Sequence, residues 1–221
     1  MPEYLSDQMP ELLKLFPLEG AVLLPGGDLP LNIFEPRYLA MVRAAMKSDQ
    51  MIGMIQPCPC QDKMPSAVRP FYSVGCAGKI SSIEETPDGR FVINLIGIAR
   101  FEILSHALNE NGYREAQVDF RKYAHDFKEP KPLPECMTRS CLIEKFQQYL
   151  ARHDMMVDWD QAAQIPDHRF YTLLAMICPF SAAEKQALLE AEDFEARCRL
   201  MKCMMDIACA EETLPPAEHL C

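Results

Sequence analysis

The segment Lys128-Glu129-Pro130-Lys131-Pro132-Leu133-Pro134 carries three prolines in seven residues. Neither a helix nor a central strand runs through such a stretch, because each proline fixes φ and removes a backbone donor. The hydrophobic pattern differs on its two sides. Before it, short apolar runs end at Pro, Gly, Asn or Asp; after it, apolar residues recur with the period of a helix. The chain therefore reads as a strand-rich part followed by a helical part.

In the first part, Leu12 to Pro17 is a strand. Gly20-Ala21-Val22-Leu23-Leu24-Pro25-Gly26-Gly27-Asp28-Leu29-Pro30 reads as a strand, a tight Pro-Gly-Gly turn and an extended return. Glu35 to Lys47 is a helix, with Pro36 suited to its first position and Tyr38, Leu39, Met41, Val42, Ala45 and Met46 as its apolar stripe. Met51 to Ile55 is a second buried strand. Between Val74 and Phe120 the β pattern is strongest. Thr86-Pro87-Asp88-Gly89 and Asn109-Glu110-Asn111-Gly112 are turns, and both faces of Phe91 to Ile96 are largely apolar. Gly97 marks a bulge or corner in that run. Short strands with glycine-marked bends predict a small, partly closed antiparallel barrel.

Beyond the proline segment, Leu142, Phe146, Tyr149 and Leu150 share one helical face, as do Phe170, Leu173, Leu174 and Ile177, with Asp167 placed to cap that second helix. Ser181-Ala182-Ala183-Glu184 is a capping box opening a helix to about Leu189. Phe194, Arg197, Leu200, Met201, Met204 and Ile207 mark the last helix. The expected organisation is a β-rich module over residues 1–125, a linker over 126–136, a bundle of about four helices over 137–211 and a flexible tail over 212–221. The fold class is α+β.

Charge and motif content narrow the function. Among the 221 residues, 22 Lys and Arg stand against 32 Asp and Glu, a net charge of −10, and both halves are acidic. Nucleic-acid affinity rests on Lys and Arg displacing counterions, so nucleic acid is not expected as a partner, and anionic membrane is disfavoured for the same reason. No apolar run reaches the ~18–20 residues of a membrane span, and the N-terminus lacks a cationic, then apolar, leader. A cytoplasmic protein is expected, in which the ten cysteines stay thiols. No GxxxxGK[ST] loop, GxGxxG turn, HExxH pair or GxSxG elbow occurs in the sequence. Cys58-Pro59-Cys60 lacks the CxxC spacing of a zinc site, and the five histidines are scattered. No cofactor and no metal are expected. A cysteine hydrolase would need a thiol activated by a histidine, and no spacing favours one.

The most unusual local feature is Phe34-Glu35-Pro36-Arg37-Tyr38 at the mouth of the first helix. Phe34, Glu35, Arg37 and Tyr38 are the candidate binding residues, a polar-aromatic recognition corner. On the structural alternative, Phe34 plugs the barrel, Glu35 sits at a helix N-terminus and Arg37 pairs with a nearby acceptor. No catalytic residue is expected.

Together, Leu15-Phe16-Pro17-Leu18, Val22-Leu23-Leu24-Pro25-Gly26-Gly27, Leu29-Pro30-Leu31 and Ile33-Phe34-Glu35-Pro36-Arg37-Tyr38 resemble the opening of the Lon N-terminal domain. That is the substrate-binding domain of the ATP-dependent Lon protease, found also in cereblon and in free-standing bacterial proteins. The resemblance continues at Gly75-Cys76-Ala77-Gly78-Lys79-Ile80, at Gly97-Ile98-Ala99-Arg100-Phe101-Glu102-Ile103 and at Ser181-Ala182-Ala183-Glu184-Lys185-Gln186-Ala187-Leu188-Leu189-Glu190. It implies a PUA-like antiparallel pseudo-barrel followed by a C-terminal helical bundle. It also implies a non-enzymatic module that binds unfolded or exposed apolar segments of client proteins, and a separate AAA+ protease as a further partner. Weak homo-oligomerisation is compatible with it. The family's ATPase and Ser-Lys peptidase segments have no counterpart in the sequence, so neither activity is expected. A hydrophobic groove between barrel and bundle, or a free barrel edge, would be the physical route to clients. Methionines at 41, 46, 51, 54, 201, 204 and 205 would either give an adaptable apolar surface or fill core gaps. The alternative function is a PUA-like small-molecule or modified-nucleoside binding protein.

Overall fold

The computed structural model describes residues 9–58, 70–129, 131–137 and 139–211. Six strands form one sheet: β1 (Leu12–Pro17), β2 (Asp28–Ile33), β3 (Met51–Ile55), β4 (Val74–Glu85), β5 (Phe91–Leu108) and β6 (Arg114–Asp119). Their order is β2-β5-β4-β3-β1-β6, and β6 also pairs with β5, so five of the six close on themselves. Closure depends on the 18-residue β5. Its Phe91–Ile96 half pairs with β2, its Glu102–Leu108 half pairs with β6, and β4 runs along it from Phe91 to Glu102. A strand this long closes a barrel only if it bends, and bulges at Ile98 and Leu104 supply the bends.

Glycine is required beside the first bulge. A Cβ on Gly97 would lie 2.0 Å from the Leu24 carbonyl oxygen, because Gly26 donates to the Gly97 carbonyl and Gly97 donates to Gly27, each at 2.9 Å. The buried Val22, Leu23 and Leu24 thus cross β5 at backbone contact. They form no strand, unlike the strand expected between Gly20 and Pro25.

One pairing corrects the antiparallel expectation. β1 and β3 are parallel neighbours, Leu15 opposite Gly53 and Pro17 opposite Ile55, so the sheet is mixed. Parallel neighbours need a long crossover. Here it contains β2 and helix α1 (Pro36–Met46), which buries Tyr38, Met41, Val42 and Ala45. Inside the closed sheet, Leu13, Leu15, Met51, Ile55, Ala77, Ala99, Phe101, Ala116, Val118 and Phe120 form one apolar cluster.

The chain divides into two compact units, 1–129 with 180–190, and 130–179 with 191–221. The second holds α2 (Arg139–Arg152), α3 (Trp159–Ala163), α4 (Asp167–Ile177) and α6 (Phe194–Glu211). Aromatic rings fill it: Phe146 meets Phe170 at 5.9 Å and Tyr171 at 5.7 Å, and Tyr171 meets Phe194 at 6.3 Å. Asp167 is the first helical residue of α4, with Pro166 at the cap position. It therefore does not cap the helix; its carboxylate pairs with Arg139 at 3.0 Å.

Helix α5 (Ala182–Glu190) belongs, like α1, to the strand unit and not to the unit of α2, α3, α4 and α6. The capping box forms: Glu184 accepts from the Ser181 amide at 2.8 Å, and the Glu184 amide donates to the Ser181 hydroxyl at 3.3 Å. The reason α5 leaves the helices is polar. Its buried face carries Lys185 and Gln186 beside Leu188 and Leu189, and those polar groups find partners on the strands. Gln186 Nε2 donates to the Val74 carbonyl at 3.0 Å, Gln56 Nε2 donates to Gln186 Oε1 at 3.2 Å and Lys185 Nζ donates to the Gly20 carbonyl at 2.9 Å.

Met41, Met51, Met54, Met201 and Met205 are buried and fill cores, whereas Met46 and Met204 are half-buried. Among the described residues no helix is long and apolar enough to cross a membrane. Cys60 and the expected tail over 212–221 lie outside the described residues.

Candidate functional site

The candidate corner begins where β2 ends. Glu35, extended at φ −68° and ψ 132°, occupies the cap position of α1, yet its side chain caps no backbone amide. Arg37 takes it instead: Arg37 Nε donates to Glu35 Oε2 at 2.9 Å, and Nη2 lies 2.8 Å from the same oxygen. The Arg37 guanidinium stands 4.5 Å from the centre of the Tyr38 ring. That ring is buried and meets Phe16 edge-on at 4.7 Å. Burial raises the Tyr38 hydroxyl above its usual pKa, partly countered by Arg37 and Arg114.

Glu35, Arg37 and Tyr38 are thus brought together as one braced unit. Phe34 is not part of it. Its ring is 62% exposed, so it does not plug the barrel. The alternation of β2 explains why: Leu31 and Ile33 face inward, and Pro30 and Asn32 face solvent, which sends Phe34 outward as well. β2 is also the outer strand of the sheet, pairing only with β5. Gly97 donating to Gly27 sets the alternation of backbone groups, and turns the Pro30 nitrogen away from β5. The outward edge therefore lacks a donor at its middle, which blunts it against an added strand.

A second surface feature lies on β1, β6 and β5. A cleft of about 270 Å³ is lined by Leu12, Ser105, His106, Ala107, Leu108, Asn109, Glu115 and Gln117. Leu12, Leu104 and Leu108 are 51%, 64% and 55% exposed. Leu104 stands at the second bulge of β5, where it has no partner on β6. Arg114 Nη1 lies 3.0 Å from His106 Nδ1, and Phe71 packs with both, 5.5 Å from the His106 ring and 5.0 Å from the Arg114 guanidinium. Burial and Arg114 hold the His106 pKa below its ordinary value.

Sequence reasoning missed the cleft, because its residues come from three strands, of which β1 lies far from β5 and β6 in the sequence. It also missed Arg100, although a lone charge inside Gly97-Ile98-Ala99-Arg100-Phe101 was a signal. Arg100 is fully buried. Its Nε donates to Asp126 Oδ2 and its Nη2 to Asp126 Oδ1, both at 2.8 Å, and its Nη1 donates to the Leu189 carbonyl of α5 at 3.0 Å. This is a structural hub of the strand unit. Cys198, buried in the helical unit, is a poor nucleophile: burial pushes its thiol up to about 12. Among the described residues no three His, Cys, Asp or Glu side chains gather as a metal-binding group.

Comparison with known proteins places this architecture. Residues 12–206 match the family model described as the ATP-dependent protease La (LON) substrate-binding domain. Lon protease 2 of Myxococcus xanthus is 27% identical over 205 residues, covering 89% of this chain and 24% of that protein. A Lon protease of Cytophaga hutchinsonii is 25% identical over 206 residues, covering 91% of this chain and 25% of that protein. The chain thus spans about a quarter of the length of these relatives. Among solved structures, the Lon N-terminal domain protein from Xanthomonas campestris superimposes with a TM-score of 0.59 at 25% identity, covering 87% of this chain and 97% of that one. The N-terminal domain of the Mycobacterium avium complex Lon protease gives 0.58 at 17% identity, covering 88% and 98%, and supports the fold alone.

Proposed function

Because the chain belongs to the family of LON substrate-binding domains, we propose that it is a recognition module that holds exposed apolar segments of unfolded client proteins and performs no chemistry on them. The observation that carries this reading is the family match over residues 12–206 combined with large apolar side chains held on the surface of the strand unit: Phe34, Leu12, Leu104 and Leu108 are each more than half exposed. A rigid scaffold that displays apolar side chains suits the capture of extended polypeptide, since ordered contacts then cost the binder little entropy. In this reading Phe34 touches the client, while Glu35, Arg37 and Tyr38 hold the loop that presents it. A separate AAA+ protease is the partner that would receive what is bound. Neither the family match nor the relatives favour the nucleoside alternative.

The test is fluorescence anisotropy with a labelled, permanently unfolded protein and its folded counterpart, at equal concentrations and two salt levels. Saturable binding to the unfolded probe, weakened by Phe34→Ser and absent for the folded probe, supports the reading. Equal affinity for both probes, or none for either, removes it.

A further inference from the structure

We propose that the cleft on β1, β6 and β5 seats one large apolar side chain of a client segment that also carries a lysine or arginine, the cation pairing with Glu115. The inference rests on the recognition reading above and names the substrate class. Two observations carry it.

The first is shape and lining. The cleft, at about 270 Å³, takes its apolar lining from Leu12, Ala107 and Leu108, room for a single large side chain and too little for a folded surface. The Ser105 hydroxyl donates to Gln117 Oε1 at 3.4 Å, which engages the amide oxygen of Gln117 and not its amide nitrogen, a donor a client backbone carbonyl could use.

The second is charge complementarity. Of the lining residues, Glu115 carries the negative charge. Its neighbour across β1 in register is Lys14, but Lys14 Nζ donates to the Ser48 hydroxyl at 3.0 Å. Glu115 forms no ion pair among the described residues. The Tyr113 hydroxyl, raised chiefly by burial, is raised further by Glu115, which shares a side-chain hydrogen bond with it, and by Glu110; the remaining acceptor capacity of the Glu115 carboxylate is what a client cation would take. The net charge of −10 adds long-range attraction for a cationic segment. The Phe34 corner differs, because its Glu35 is already paired with Arg37 and offers no such selectivity.

Three short fluorescein-labelled peptides distinguish the claims: one phenylalanine flanked by lysines, the same flanked by glutamates, and a lysine peptide without phenylalanine. The lysine-flanked phenylalanine peptide is expected to bind about fivefold to tenfold more tightly than the glutamate-flanked one at low salt, with the gap narrowing as salt rises. Glu115→Gln is expected to erase that gap, and Leu12→Ser with Leu108→Ser to abolish the phenylalanine dependence; both leucines are more than half exposed, and circular dichroism checks the fold. Binding of unfolded protein with no lysine preference, or a preference that survives Glu115→Gln, overturns this inference and leaves the recognition reading standing. Failure of every peptide and of unfolded protein to bind overturns both. A self-associating chain whose dimer is broken by Leu12→Ser, with no peptide bound, assigns the cleft to a second copy and overturns the peptide assignment.

Discussion

Arg100 on β5 and Asp126 just beyond β6 form a buried ion pair, 2.8 Å apart with side-chain exposures of 1% and 6%. The Arg100 amide also donates to Asp126 Oδ2 at 2.9 Å, and the guanidinium lies 4.2 Å from the Tyr123 ring centre. One charge thereby ties the closed sheet, the 3-10 segment Arg121–Phe127 and the end of α5. Replacing Asp126 by Ala leaves a buried cation without its counter-charge, and the expected loss is about 3–5 kcal/mol in urea unfolding. The double variant Arg100→Met with Asp126→Leu removes both charges and is expected to lose less. A loss below about 1 kcal/mol for Asp126→Ala would mean water reaches Arg100.

Gly97→Ala tests the backbone crossing. The added methyl meets a carbonyl oxygen at 2.0 Å, and backbone cannot yield as a side-chain tip can. Destabilisation of about 2 kcal/mol or more is expected by thermal or urea unfolding. Gly89→Ala, at a turn glycine with open space around it but φ of +80°, is expected to cost about 1 kcal/mol. Equal costs would show that the crossing is looser than described.

His106 predicts a pH dependence. Its folded-state pKa lies below the ordinary 6.5 because burial and Arg114 disfavour the charged ring. The unfolded chain therefore binds more protons than the folded chain as pH falls through that value, and stability falls with it. Urea midpoints measured at pH 7.5 and 5.5 should drop at the lower pH, and His106→Gln should narrow the drop. An unchanged difference in the variant would assign the dependence elsewhere.

Thiol reactivity separates the recognition reading from a cysteine hydrolase. Cys203 is exposed, whereas Cys198 and Cys178 are buried and Cys198 is pushed up to about 12. Brief iodoacetamide treatment of the native chain, followed by mass spectrometry, should label Cys203 and spare Cys178 and Cys198. Preferential labelling of Cys198 would contradict the geometry.

Local signals made much of this fold legible. β1, β3 and α1 were visible because an apolar run or a helical stripe ended at strong turn residues, and the Ser181 capping box located the start of α5. What stayed hidden depends on pairing at a distance. Whether β1 lies parallel to β3 follows from the crossover through α1, not from either strand's residues. The position of α5 follows from Gln186 meeting Gln56 and Val74, more than 100 residues away. At the candidate corner, Glu35, Arg37 and Tyr38 touch one another, but the inward expectation for Phe34 failed because the pleat of β2 carries it outward. The cleft had no contiguous signal at all.

Amide hydrogen exchange of the full chain, with and without a saturating unfolded client, tests the recognition claim most directly. Slowed exchange is predicted on the exposed surface of the strand unit, around residues 32–35, 104–109 and 114–117, with the helical unit unchanged. Protection confined to α2, α4 and α6, or no protection at saturation, would contradict it.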